Sequence, residues 1–194
     1  MRVSRVEAEW NRERIIKVAA KLFRERGFDG IGVVELMKSA GLTHGGFYGH
    51  FASKEDLMVK ACTRAIEDSL EAMHQAAGRA GDEDGLFAIA SAYLSPSHRD
   101  RPGEGCALAA LGAEAARHDA PLRGAFTRGV CSIVDALTQL LTGKSERTKR
   151  ERALAIFASM VGGLVLARAV DNTELSEEVL QSVLALITHI HSSS

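Results

Sequence analysis

The sequence predicts an all-α fold of about nine helices, an N-terminal three-helix unit followed by a larger helical one. Three observations carry this. Apolar residues recur at helical spacing along most of the chain, as at Ile15, Ala19, Leu22 and Phe23. No strand-like alternation of period two persists anywhere. Only three prolines interrupt 194 residues, so helix breakers are scarce.

In order, the Ile15 stripe predicts a first helix ending at Gly27, with Arg12, Arg14, Lys17, Lys21, Arg24 and Arg26 on its other faces. "VVELMKSA", 33–40, is a second helix between Gly32 and Gly41. Thr43 sits where it would cap a third, short helix over 44–50. Ser53 opens "SKED", a capping box with Asp56 at its fourth position, and starts a long helix to about Ala77. "AGRAGDEDG" reads as a turn, and a helix follows to Leu94. "SPSHRDRPGEG", 95–105, reads as the longest loop. Cys106 to His118 is helical, and Asp119 with Pro121 restarts the chain into a helix ending near Gly143. Helices over 146–170 and 175–191 complete it.

The composition is that of an ordinary soluble globule, 46% hydrophobic and 25% charged. No run of 18 apolar residues occurs, so nothing reads as a membrane span. The first residues lack the apolar centre of a secretory signal. Three cysteines without paired spacing point to reduced thiols and a cytoplasmic location. The net charge of −1 conceals an asymmetry: residues 1–54 carry 10 Lys+Arg against 6 Asp+Glu, the remainder 14 against 19. A basic head suggests a polyanionic partner.

The stretch "GLTHGGFYGHF", 41–51, is the oddest in the chain, with four glycines and three aromatics amid helix formers. Each glycine within a helix costs about 0.8–1 kcal/mol relative to alanine. Tight helix packing is one explanation. The other is a helix-turn-helix, whose second helix enters the major groove of DNA. Gly45, Gly46 and Gly49 then remove bulk from a surface that must approach another molecule closely. Phe47 and Phe51, four apart, anchor the segment, while Tyr48 and His50 point outward.

The segment from Ile15 to Leu57 resembles the DNA-binding domain of the TetR family of bacterial transcriptional regulators. The aromatic-Tyr-x-His-Phe run followed by Ser-Lys-Glu-x-Leu, with Ala-Gly before it, carries the resemblance. It implies a helix-turn-helix domain over 1–56 and a helical ligand-binding and dimerisation domain over 57–194. It implies that His44, Gly45, Gly46 and Tyr48 meet bases and nearby backbone, and that Tyr48, His50 and Lys54 meet phosphates. Gly32 and Thr43 join this set at the starts of their helices. Two departures matter. Gly32, Val33 and Val34 stand where polar residues are common, and Gly46 stands where threonine is common. The resemblance further implies a homodimer through the last two helices, a near-palindromic double-stranded DNA site and a small-molecule effector. Ile156, Met160, Leu164 and Ala167 form one candidate interface stripe, and Val179, Val183, Leu186 and Ile190 another; each can equally be buried within one chain. Gly162 and Gly163 allow close helix approach.

No enzymatic or metal-binding constellation stands out, and no cofactor is expected. His189 and His191 share no helix face. Met73, Phe87, Tyr93, Phe126 and Phe157 are large side chains that can border an effector cavity, with His74, His118 and Arg168 as polar candidates. Cys106 follows "RPGEG" at the start of an Ala-rich helix, where a thiolate is stabilised; Cys62 and Cys131 read as core. Four functions compete: a repressor released by a small molecule, the same regulator triggered by oxidation or alkylation of Cys106, an all-α enzyme using Cys106 and a histidine, and a helical adaptor that does not bind DNA.

Overall fold

The computed structural model describes residues 4–80, 85–143 and 145–192. Nine α-helices are present among them: α1 (Arg5–Arg26), α2 (Val33–Ser39), α3 (Lys54–Ala80), α4 (Gly85–Tyr93), α5 (Pro96–Asp100), α6 (Ala107–Ala115), α7 (Ala120–Gln139), α8 (Glu146–Ala169) and α9 (Thr173–Ser192). Short 3-10 helices cover His44–Gly49 and Pro102–Glu104, and no strand occurs among the described residues. Of the turn expected at "AGRAGDEDG", 77–85, residues 77–80 instead continue α3 and Gly85 opens α4, while 81–84 lie outside the described residues.

The helices pack as two compact units. The first is Met1–Glu67 with Pro102–Phe126, the second Asp68–Arg101 with Thr127–Ser194. These packing units are a different cut from the functional division expected at residue 57.

In the first unit, α1 begins ten residues before its apolar stripe. Ser4 caps it, its hydroxyl accepting the Glu7 N–H at 3.1 Å. The inward face is Ile15, Ile16, Ala19, Ala20 and Phe23, while Leu22 is half-buried. Phe28, Ile31, Leu36, Met37, Phe47, Phe51 and Leu57 complete the core, all essentially without solvent exposure. Each such side chain contributes about 1.5–3 kcal/mol of apolar transfer. α6 belongs to this unit and presents Ala107, Leu111 and Ala115 at four-residue spacing as its buried edge.

In the second unit, α8 lies against α9. A Cβ on Gly163 would be 3.0 Å from Val183 Cγ2, so the helices approach closely here and a larger residue would push Val183 aside; Gly162 faces open space. The stripe Ile156, Met160, Leu164 and Ala167 is buried within the chain, and so is not available to a partner copy. The stretch read as a loop, 95–105, instead forms α5 and a 3-10 turn, because Ser95 caps Pro96 at the first helical position. Arg168 then ties α5 to α8, donating to the His98 and Arg99 carbonyls at 2.7 and 3.0 Å. Arg99 in turn donates to Ser176 Oγ on α9 at 3.0 Å. α8 is long and apolar enough to cross a membrane by composition alone, with a mean hydropathy of 1.5 over 18 residues. Its buried stripe marks it as a core helix of this unit.

Candidate nucleic-acid interface

α2 is followed by a tight reversal. Gly41 has φ +67°, a left-handed conformation that disfavours side chains. The Gly41 N–H donates to Lys38 O and the Leu42 N–H to Met37 O, both at 2.9 Å, closing the end of α2. Thr43 then occupies the cap position, as expected, but its hydroxyl makes no capping bond. The next element is 3-10 rather than α-helical, running His44–Gly49. Three glycines in six residues supply little to hold a longer α-helix.

Two rings fasten this segment. Phe47 and Phe51 are buried with centroids 5.5 Å apart. The outer surface is Thr43, His44, Gly45, Gly46, Tyr48 and Gly49, all exposed, with His50 half-buried. Tyr48 is 70% exposed, and its ring stands edge-on to His44 at 6.5 Å. The glycines do not serve the packing of the chain. A Cβ at Gly45 or Gly49 would meet nothing within 4 Å, and one at Gly46 would make only ordinary contact with Met37 at 3.7 Å. Tight packing is therefore excluded as their reason. Gly32 starts α2 without a side-chain cap, and its surroundings are likewise open. Val34, the second residue of α2, is exposed.

Lys54 opens α3 with its ammonium donating to the Phe28 carbonyl at 2.6 Å. It is held in place rather than freely solvated, and an ammonium has two further donors for another acceptor. Half of the expected capping box forms: the Asp56 N–H donates to Ser53 Oγ at 3.2 Å, while Asp56 Oδ2 accepts from the Ala52 N–H at 3.3 Å, one residue before the cap. The Lys60 ammonium bound to Asp56 holds that carboxyl below its ordinary range. Sequence reasoning missed Arg12, whose guanidinium carbon lies 5.5 Å over the Phe51 ring, and Glu114, whose Oε2 accepts the Phe28 N–H at 2.8 Å. No local pattern announces either.

The family model for the bacterial regulatory proteins of the tetR family matches residues 15–61. The chain belongs to the TetR family. It is 26% identical over 186 residues to the Escherichia coli transcriptional repressor NemR, covering 91% of this chain and 93% of that one. The solved structure of the reduced form of E. coli NemR superimposes with a TM-score of 0.78 at 25% identity, covering 92% and 95% of the two chains. The Bacillus subtilis regulator LmrA is 27% identical over 173 residues, covering 84% and 89%. This TetR-family protein is thus a DNA-binding transcriptional regulator, and the adaptor reading is set aside.

The effector candidates are spread over both units. Cys106 and Phe126 lie in the first, Met73, Phe87, Tyr93 and Phe157 in the second. All are buried except Phe87, which is 48% exposed. Arg168 is occupied with α5, and the His118 ring stands edge-on to Phe28 at 5.1 Å. His74 is exposed. Cys106 is the N-cap residue of α6, as its sequence position suggested, and is buried. Burial pushes the Cys62 thiol up to about 12. Cys131 is exposed, contrary to its reading as core: α7 turns that position outward.

Proposed function

We propose that the protein is a homodimeric repressor that binds a near-palindromic operator and is released by a small molecule. In this reading residues 1–56 bind DNA and 57–194 serve effector binding and dimerisation. His44, Gly45, Gly46 and Tyr48 meet base edges and adjacent backbone; Tyr48, His50 and Lys54 meet phosphates, with Gly32 and Thr43 beside DNA at the starts of their helices. The observation that carries it is the exposed surface of the 44–49 segment, where Gly45 and Gly49 face open space within the chain and Gly46 makes only ordinary contact. The repressor sign rests on NemR, named a transcriptional repressor. The site of work is the cytoplasm, where the DNA is.

Dimerisation uses the outer faces of the last two helices. Leu154, Val165 and Leu166 on α8 and Leu175 and Leu186 on α9 are exposed, with Leu166 at 58%. Exposed apolar side chains on these two helices are candidates for a protein contact, and a second copy supplies the twofold symmetry that a palindrome requires. Ile190 of the expected stripe falls among residues whose side chains are not described. The effector site is proposed near α4 in the second unit, around Phe87, Tyr93, Met73 and Phe157. Ser91 Oγ there is buried without a hydrogen-bond partner and is open to a ligand's polar group. The ligand acts by preferring the conformation that does not bind DNA.

The test is a mobility shift on duplex selected from a random pool. Lys54→Ala should weaken all sequences alike and lower the salt slope by about one, while His44→Ala should relax preference at one base position. Unchanged salt dependence in Lys54→Ala refutes its phosphate role.

A second reading makes the trigger covalent at Cys106. It is favoured by the cap position of that residue and by the relative NemR, whose solved structure is described as a reduced form. An oxidant should then release wild type from DNA but not Cys106→Ser. Equal release of both returns the trigger to a reversible ligand.

A further inference from the structure

The peptide unit of Phe28 lies in the turn that launches α2, and both of its polar groups are gripped by side chains from elsewhere in the first unit. Its N–H donates to Glu114 Oε2 on α6 at 2.8 Å, across 86 residues of chain. Its carbonyl accepts from Lys54 at the start of α3 at 2.6 Å. The Phe28 ring is buried between Phe23 at 5.4 Å and His118 at 5.1 Å. Glu114 also fills the space beside Gly27: a Cβ there would be 2.7 Å from its Oε1, and φ is +75°. At the other end of α6, Arg24 of α1 donates to the Gly105 carbonyl at 2.9 Å, one residue before Cys106. Beside it the Glu25 side chain of α1 lies against Gly103, so that a Cβ there would displace its carboxylate. α6 is therefore fastened at both ends to the helix and turn that aim α2 and the 44–49 segment. A carboxylate accepting a backbone N–H is among the stronger hydrogen bonds.

We propose that Glu114 is a positioning residue for DNA recognition: it latches α6 to the turn before α2, so that the placement of α6 and the affinity for DNA are coupled. The coupling must run both ways. Displacing α6 pulls the Phe28 peptide and misaligns α2 and the recognition segment. Conversely, bound DNA, which fixes those elements, holds α6 closed although α6 itself touches no base. The inference rests on the DNA-binding reading of the 44–49 segment.

The experiment uses a duplex selected by the wild-type protein from a random pool. It measures affinity and the rate at which N-ethylmaleimide alkylates Cys106, followed by peptide mass. Cys106 is buried, so its alkylation reports opening of α6. Cys62, buried in α3, reports opening of the whole unit and is the reference. Duplex should slow Cys106 in wild type at least about fivefold more than Cys62. In Glu114→Ala the extra slowing should vanish and affinity should fall about tenfold, the loss of one charge-assisted hydrogen bond. Glu114→Gln, which keeps an acceptor oxygen, should restore most of both. Wild-type affinity in Glu114→Ala, or equal slowing of Cys106 and Cys62 in wild type, overturns the latch. The wild-type comparison decides the matter even if the alanine variant does not fold. A pool that yields no bound duplex overturns the DNA-binding reading itself, and is told apart by that.

Discussion

Replacing Gly45 and Gly49 together by alanine should make the protein more stable and a worse DNA binder. Neither glycine has positive φ; among the described residues only Gly27 and Gly41 do. Alanine can therefore adopt the native backbone at both positions. Nothing lies within 4 Å of either added methyl, so no clash opposes it. The unfolded chain loses freedom with each substitution, a gain of about 0.4–1 kcal/mol per site. For a chain of this size the double variant should melt roughly 2–8 °C higher. If these surfaces meet DNA, each methyl separates the segment from a base edge or phosphate and removes a contact worth about 1–3 kcal/mol. That corresponds to a loss of roughly 5- to 150-fold per site. Differential scanning calorimetry reads the first effect and fluorescence titration of labelled duplex the second. A variant that melts higher and binds as tightly as wild type would refute the reasoning, because it would leave the glycines without a purpose at the interface.

Gly27→Ala should act in the opposite way. Its φ of 75° and ψ of 174° fall in a region essentially reserved for glycine, costing about 1–3 kcal/mol, and the methyl displaces Glu114 from the Phe28 N–H. The melting temperature should drop by roughly 2–12 °C; an unchanged value would show that the turn relaxes freely. Leu166→Glu, on the outer face of α8, should yield monomer in sedimentation at micromolar concentration, since an unpaired charge buried in an interface costs about 3–5 kcal/mol. A stable dimer of that variant places the interface elsewhere. With a thiol reagent at pH 8, Cys131 should react at once, while Cys62, with its thiol pushed up to about 12, should react only on unfolding. Two or more rapidly reacting thiols would contradict the burial of Cys62 and Cys106.

What was legible in the sequence is what short-range chemistry determines. The α1 stripe, the Gly41 reversal, the Ser53–Asp56 cap and the i to i+4 pair Phe47 and Phe51 are all settled within a few residues. The helix-turn-helix could be read for that reason, and so could the exposure of Tyr48. α5 was equally local, since Ser95 and Pro96 mark its start, but the prolines and glycines around it outweighed that signal. The grips on Phe28 were not legible. Lys54 is 26 residues away and Glu114 is 86 residues away, and nothing in either neighbourhood indicates its partner. Nor could periodicity decide which face of α8 turns inward. Ile156, Met160 and Leu164 form the stripe that is buried, while Leu154, Val165 and Leu166, equally apolar, lie off it and are exposed. The same holds for α9, where Leu180 and Ile187 are buried while Leu186 is exposed.

The central claim is that two copies of an exposed 44–49 segment read two related stretches of DNA. The most direct measurement is selection of bound duplexes from a random pool, followed by sequencing. The account predicts an enriched pair of inverted half-sites about 34–36 Å apart, or a longer multiple of the helical turn, with enrichment abolished by Tyr48→Ala. A pool that stays random, or one in which a single unrepeated half-site saturates the protein, would contradict it.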